Sequence, residues 1–479
     1  MNSPLPIVKK IDVIPNAAWI YERLGREPYS FLLESSMVLK EIGEYSFLGC
    51  DPFLVVRASE NMIEIERQGN VDCTRGNSLD KLNGILKDLN YTPTHKPFPF
   101  NGGAVGFFSY DLGRQIETVP STAINDLQTP DYCLGFYDLV IIIEHFTGEV
   151  YISSTGLPLR GKEGYKRAGH RLNELENILA NNTPPPNNAP SPSGCGLDRL
   201  KSNFTPEEYI DTVQKVQNYI GAGEILGVNI TQRFDTPLTE DSWEVYKRLR
   251  QVNGSPFGGY LKFGDFEVLS SSPERFLKVT GSKVETRPIK GTRPRGKDQT
   301  EDMKYRQELL KSDKDKEELL MVVEMEKNNL SRVCKEGTVW VPDLIRLEEY
   351  PTVFHLVSTV EGELPPNKTI CDLLKATFPG GSITGVPKTR SMEIIEELEK
   401  IRRGIYTGSI GYIDFNGDAD LNIVIRTIIC RHGKAYFQVG GAVTADSEPR
   451  QEYYETLDKA RGLMRALGYS KGELDGWKI

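Results

Sequence analysis

Cysteine, histidine and tryptophan are scarce in this chain of 479 residues, which has seven, five and four of them. The cysteines (Cys50, Cys73, Cys133, Cys195, Cys334, Cys371 and Cys430) are odd in number and form no C-x-x-C pair, so neither a disulfide frame nor a cysteine zinc site is expected. The histidines (His95, His145, His170, His355 and His432) are too dispersed for an obvious metal cluster. Long apolar runs are missing too. The longest candidate, Leu139–Ile143, falls far short of the roughly 18 residues a bilayer crossing needs and predicts one buried strand. Nor is there an excess of basic charge: 58 Lys and Arg against 67 Asp and Glu leave −9, which disfavours a nucleic-acid or anionic-membrane partner. Residues Met1–Pro6 lack the basic stretch and apolar core of a secretory signal, so the expected location is the cytoplasm.

What is present describes a folded protein. Hydrophobic residues make up 38% and charged residues 26%, with 21 Tyr and 19 Phe, far from the signature of disorder. At roughly 150 residues per domain the length suggests about three units, a prior that large folds often break. The Pro- and Asn-rich stretch 181–199 reads as a linker between an α+β region, 1–180, and a second region, 200–470. In the first region, Gly135–Glu144 reads as strand and Tyr165–Leu179 as helix. In the second, Thr205, Pro206 and Glu208 form a capping box with Pro at the first helical position, so a helix follows. Asn416-Gly417 predicts a tight hairpin joining Tyr406–Phe415 to Asp420–Cys430, and His432-Gly433 turns the chain into Lys434–Val443.

Three segments gather groups suited to a small anionic ligand. The glycine-rich run Phe378–Lys388 enters an amphipathic stretch, Ser391–Arg402, and offers backbone N–H groups at a helix N-terminus, although an ordinary turn has the same composition. Glu452, Glu455 and Lys459 fall on one helical stripe, where with Glu318 from another helix the carboxylates suit a hard cation; a Glu-x-x-Glu by itself is more often a solvated face. Lys290 follows extended residues and precedes a glycine, as a nucleophilic amine presented from a strand end would, or as any lysine in a basic loop with Arg287, Arg293 and Arg295.

Taken in order, Ser272-Pro-Glu-Arg-Phe276, Pro288-Ile-Lys-Gly-Thr292, the Phe378–Lys388 loop, Tyr406–Tyr412, Asn422–Thr427 and Glu452-x-x-Glu455-Thr-x-x-Lys459 closely resemble the chorismate-utilising enzymes. The resemblance covers about 200–468. The N-terminal segments Phe31–Ser35 and Gly103–Phe107 look like the companion subdomain of anthranilate and aminodeoxychorismate synthases. The implied fold is α+β, a sandwich of two roughly orthogonal β-sheets with helices outside. The implied cofactor is Mg²⁺, held or flanked by Glu318, Glu452 and Glu455. The implied substrate-binding residues are Thr292, Ser382, Thr384, Gly385, Tyr406, Arg426, Gly440, Gly441 and Lys459, around the carboxylates of chorismate.

Within the family, the residue before Gly-Thr in the Pro-Ile-x-Gly-Thr motif separates reactions. Anthranilate synthases carry Ala there and aminodeoxychorismate synthases Lys; this chain has Lys290. The resemblance therefore implies a transferase of the transaminase class that aminates chorismate at C4, for p-aminobenzoate and folate synthesis. Lys290 would be the nucleophile, Glu274 the general acid and His355 a hydrogen-bonding group near the ring. The alternatives are anthranilate synthase component I chemistry in tryptophan synthesis and a catalytically silent regulatory subunit. Ammonia would come from a separate glutamine amidotransferase subunit, because Cys133 reads as a buried strand cysteine and no His-x-Glu follows it.

The chain also departs from the family pattern. Gly227 stands where amidating relatives show Gln, and Glu224–Arg233 holds no water-activating Lys. Val323–Asn329 differs from the usual Val-Asp-Leu-x-Arg-Asn-Asp, and Ala442 replaces a common Gly. Asn253–Tyr260 lacks the pattern of tryptophan-inhibited relatives, whose inhibitor site would involve Leu33, Glu34 and Ser35.

Overall fold

A computed structural model describes residues 6–39, 42–91, 96–180, 196–350 and 353–476. His95 and residues 181–195 of the expected linker 181–199, Cys195 included, lie outside the described residues, and the rest of that stretch includes a short 3-10 turn, Leu197–Arg199. Two large antiparallel sheets, each of twelve strands among those residues, form the frame of an α+β fold. Both sheets draw strands from either side of the linker. Phe31–Glu34 pairs with Phe257–Lys262 in one, and Gly103–Phe108 with Ser409–Asp414 in the other.

The period of two along the strands creates the layers. In strand Leu139–Glu144, Leu139, Ile141 and Ile143 face helices, packing with Trp19, Leu172 and Leu175. Val140 and Ile142 point the other way, toward Phe107, Cys133 and Tyr412 of the second sheet. On that sheet Val55 faces inward, while Leu54 and Val56 meet Leu79 and Leu82 of helix Ser78–Leu89. Each sheet is thus apolar on both faces, between the other sheet and a helix layer. Every fully buried Leu, Ile, Val or Phe contributes about 1.5–3 kcal/mol.

Several expected elements occur as read. Helix Pro206–Gly221 starts at Thr205 with both hydrogen bonds of the capping box, and His432 and Gly433, at φ 50° and 71°, form the two-residue turn between Thr427–Arg431 and Lys434–Val443. Others are corrected. Gly135–Glu144 is not one strand: Tyr132–Tyr137 lies in one sheet and Leu139–Glu144 in the other. The chain crosses at Asp138, whose buried carboxylate pairs with Arg167 at 3.0 Å and Arg171 at 3.6 Å. The hairpin at Asn416-Gly417 is wider than a two-residue turn. Only Gly417 has positive φ, and the Asn416 side chain instead accepts the Asp418 N–H at 3.0 Å. Its second strand stops at Asn422, because Arg426, at φ 54°, redirects the chain into the opposite sheet as Thr427–Arg431.

Beneath the site, Arg403 and Glu399 form a fully buried ion pair at 2.6 Å. Arg403 also donates to the carbonyls of Ile383 (2.8 Å) and Asn229 (2.7 Å), and Glu399 accepts the Thr231 N–H at 3.0 Å. The pair thereby ties the turn Gly381–Ile383 to strand Gly227–Pro237. Arg403→Leu would strand a buried carboxylate, and urea unfolding should show a loss of about 3–5 kcal/mol. A loss below about 1 kcal/mol would mean that this pair is dispensable.

Candidate active site

Lys290 lies on strand Ile289–Pro294, opposite Leu356, and the next matched pair is Thr292 with His355. Gly291 is the extra residue of a bulge, at φ 74°. A side chain there would strain the backbone and press on Asp315 and Leu309 at 2.9 Å. The bulge turns Lys290 inward, where its Nζ donates to the Ser382 carbonyl at 3.3 Å.

Glu274 sits in the connection between strands Phe266–Ser272 and Arg275–Thr280, buried, with its carboxylate accepting the Ile289 N–H at 3.4 Å. Burial pushes its carboxyl up to about 7; the Ser382 hydroxyl and Lys290 pull the other way. A carboxyl poised near neutrality beside an amine can hold a proton and release it. His355 is buried and shares a 2.9 Å hydrogen bond with Thr292 through Nδ1. Desolvation lowers its imidazole to about 4, so the ring is neutral at pH 7.

The carboxylates come from two helices, Asp313–Ser331 and Pro449–Ala466. Glu452 is buried and takes a 2.7 Å hydrogen bond from Ser447, while Glu455 pairs with Lys459 at 2.6 Å. Burial raises the carboxyls of Glu318 and Glu452, each further raised by Glu455, whereas Lys459 holds that of Glu455 down. Lys314 reaches toward Glu452 at 3.6 Å and Glu318 at 3.9 Å. A Cβ on Gly441 would lie 3.1 Å from Glu452, 3.5 Å from Glu455 and 3.8 Å from Lys459, so the bare backbone there is what these groups surround.

Buried Glu452 and partly buried Glu318 are each repelled by the half-exposed Glu455, and Lys314, itself half-exposed, reaches toward the first two; carboxylates so placed suit a divalent cation. Among the described residues no three His, Cys, Asp or Glu groups are close enough to hold a metal ion by themselves. Such a set fits Mg²⁺, which binds through one or two carboxylates and keeps waters and ligand oxygens in its other positions.

Arg426 is desolvated, which lowers its guanidinium, and it donates to the Lys459 carbonyl. No carboxylate lies within ion-pair distance of it among the described residues. Tyr406, Glu455 and His355 lie within its electrostatic reach, and Lys459 donates to the Gly440 carbonyl at 2.8 Å. A desolvated guanidinium without an ion partner is a natural seat for a ligand carboxylate.

The glycine-rich loop differs from the cradle read in the sequence. It forms a turn, Gly381–Ile383, and a short strand, Gly385–Val386, against Gly227–Pro237, and the helix begins at Lys388 rather than Ser391. The Gly381 N–H is taken by the buried carboxylate of Glu326 at 2.8 Å. Thr384 is inward but bonds its own loop, at the Gly380 carbonyl.

Lys290, Glu318, Ser382, Thr384 and Gly385 line one narrow cavity of about 30 Å³. A larger one, about 320 Å³, lies elsewhere, against Leu33, Glu34, Ser35, Phe257 and Tyr412, but it lacks this concentration of chemistry, and Glu34 is bound by Arg250 and Tyr246. Sequence reasoning missed Glu326 and Lys314. The altered run Val323–Asn329 was the signal for Glu326. Cys133, as read, is a buried strand residue, its thiol pushed up to about 12 by burial.

The chain is similar to known proteins over most of its length. A family model described as chorismate binding enzyme matches residues 28–465. Aminodeoxychorismate synthase component 1 of Salmonella typhimurium is 38% identical, over 98% of this chain and 99% of its own. Anthranilate synthase component 1 of Acetivibrio thermocellus is 37% identical, over 94% and 92%. The crystal structure of anthranilate synthase component I from Streptococcus pneumoniae matches with a TM-score of 0.76 at 30% identity, covering 90% of this chain and 94% of that one. The family match leaves out only short stretches at the two ends, and on that extent the chain belongs to the chorismate-binding enzyme family.

Proposed function

We propose that the protein aminates chorismate at C4, giving 4-amino-4-deoxychorismate for p-aminobenzoate and folate synthesis. The observation that carries this reading is Lys290, turned by the Gly291 bulge into the same hydrogen-bonded group as Glu274 and Ser382. The Lys290 nitrogen forms a bond to ring C2 through its lone pair, both double bonds of the ring diene shift, and the C4 hydroxyl leaves as water with the proton of Glu274. Ammonia then bonds to C4, both ring double bonds shift back, and the C2–N bond to Lys290 breaks. The proton ammonia loses returns to the Glu274 carboxylate, so the sum is chorismate plus ammonia to amino product plus water.

Arg426, Tyr406 and Lys459, with the backbone at Gly440 and Gly441, would bind the substrate's carboxylates, and neutral His355 would donate or accept a hydrogen bond at the ring without adding charge. Glu318, Glu452 and Glu455 would hold or flank Mg²⁺, which would supply neutralisation and orientation of the ring carboxylate. Ammonia would come from a glutamine amidotransferase subunit; relatives named component 1 support a two-component enzyme.

Similarity alone does not separate this reaction from anthranilate synthesis, since relatives of both names stand at 37% identity. Product analysis does. Incubated with chorismate, Mg²⁺ and ammonium, the protein should yield p-aminobenzoate only when aminodeoxychorismate lyase is added, and chelation of the metal should stop turnover. Anthranilate and pyruvate without the lyase would overturn the C4 assignment.

A further inference from the structure

Helix Asp313–Ser331 carries a buried carboxylate that the reaction as drawn does not use. Glu326 lies about two turns past Glu318, and it is only 2% exposed. A carboxylate in such a place is unfavourable unless its hydrogen bonds offset the lost water. The bonds it makes are few: Oε1 accepts the Gly381 N–H at 2.8 Å, and Oε2 accepts from the Asn329 carboxamide at 3.3 Å. Lys388 favours its charged form through space, but the Lys388 Nζ gives its own hydrogen bond to the Thr377 carbonyl, at 2.7 Å. The one short bond of Glu326 therefore goes to the glycine-rich loop, where an uncharged side chain would fill the same space without the desolvation.

What that bond holds is the turn Gly381–Ile383. Arg403 holds the other end, at the Ile383 carbonyl, 2.8 Å away. Ser382 lies between these two charged anchors, and it is the residue that meets the reacting groups. Its carbonyl accepts from the Lys290 Nζ at 3.3 Å, and its hydroxyl bonds the Glu274 carboxyl. A shift of the turn moves both contacts at once, because one residue makes them. The approach of the carboxylate also requires a bare residue at 381: a Cβ there would stand 2.7 Å from Glu326 Oε1 and 2.5 Å from Met325 Cε.

We propose that Glu326 is a positioning residue for the reaction, clamping the Gly381 N–H so that Ser382 keeps the Lys290 amine and the Glu274 carboxyl at one fixed spacing. The inference rests on the amination reading above. Glu326 does not line the cavity beside Lys290, and no bond forms or breaks at it.

The test uses the full-length protein with Mg²⁺, chorismate and ammonium, following 4-amino-4-deoxychorismate through the lyase, and the Lys290 adduct formed without ammonium by intact mass. Glu326→Met, similar in volume and without an oxygen acceptor, should lower kcat and the rate of adduct formation about tenfold or more, the scale of a small misplacement of reacting groups. The KM for chorismate should stay within about twofold, since Arg426 and Lys459, proposed to bind its carboxylates, lie on other elements. Glu326→Gln, which keeps an acceptor oxygen, should recover most of the loss. Gly381→Ala presses on the far ends of two flexible side chains, so the fold absorbs it while the carboxylate is pushed off the N–H. It should reproduce the same split between kcat and KM and, combined with Glu326→Met, add nothing further. If Glu326→Met melts well below the wild type, Gly381→Ala is judged on the same readouts in its place. A kcat within about twofold of wild type in the variant so judged, a KM that rises as kcat falls, or losses that multiply in the double variant would overturn the positioning role and leave the amination reading standing. A wild type that makes no 4-amino product would remove that reading, and the role of Glu326 with it.

Discussion

Lys290→Ala should lose 4-amino-4-deoxychorismate formation by on the order of 10³-fold or more, because no other amine takes the place of a displaced nucleophile. The folded state should hardly notice. The Lys290 Nζ makes a single long hydrogen bond, to the Ser382 carbonyl at 3.3 Å, and the bulge that aims it depends on Gly291 and on pairing with Leu356 and His355. Thermal melting should therefore stay within a few degrees of wild type while the product disappears. Any residual product should carry its nitrogen at C2, since without the lysine adduct ammonia can only add there directly. Wild-type protein given chorismate without ammonia should show the adduct by intact mass, and the variant should not. An unchanged rate of 4-amino product would end the covalent role for Lys290.

Glu274→Gln should reduce turnover by roughly 10²–10⁴-fold, the range for losing a positioned general acid. It should also change the pH profile. Burial raises the wild-type carboxyl from 4.5 to about 7, so the acid form is present below that pH and lost above it. The wild-type kcat/KM should accordingly fall as pH rises through about 7, and the glutamine variant should lack that limb. The same shift has a sign for stability. The folded state holds this proton more tightly than the unfolded one, so the stabilisation is complete below 4.5 and disappears as pH rises through about 7. Glu274→Gln, isosteric and uncharged, should remove that dependence. A limb near pH 7 that survives in the variant would assign the titration to another group.

Much of the site was legible because it is written in local chemistry. Gly291 after Lys290 predicts an amine presented at a strand end, and the structure has instead a bulge within strand Ile289–Pro294; the spacing of Glu452, Glu455 and Lys459 predicts one helical stripe, which occurs. The strand at Leu139–Ile143 was equally plain, since an unbroken apolar run suits a sheet covered on both faces. The changes of sheet at Asp138 and Arg426 were not legible. Periodicity reports which face of a strand is buried and says nothing about its partner. The partner of Phe31–Glu34 lies more than two hundred residues away, at Phe257–Lys262. Buried polar pairings are hidden for the same reason: Glu399 and Arg403 look like any i, i+4 surface pair until burial shows them sealed beneath the cleft.

The sharing of both sheets across the linker has a consequence for how the protein can be divided. Residues 6–180 expressed alone would expose Phe31–Glu34, which has lost Phe257–Lys262, and Gly103–Phe108, which has lost Ser409–Asp414. Each would be a flat, apolar row of unsatisfied N–H and C=O groups in the middle of what had been a covered sheet, the feature that recruits other chains into aggregates. The two regions are therefore separable as text but not as objects. A polypeptide severed between them should persist as one non-covalent body held by two seams of strand pairing, and neither half is a unit that could be inherited, exchanged or fused to another protein alone.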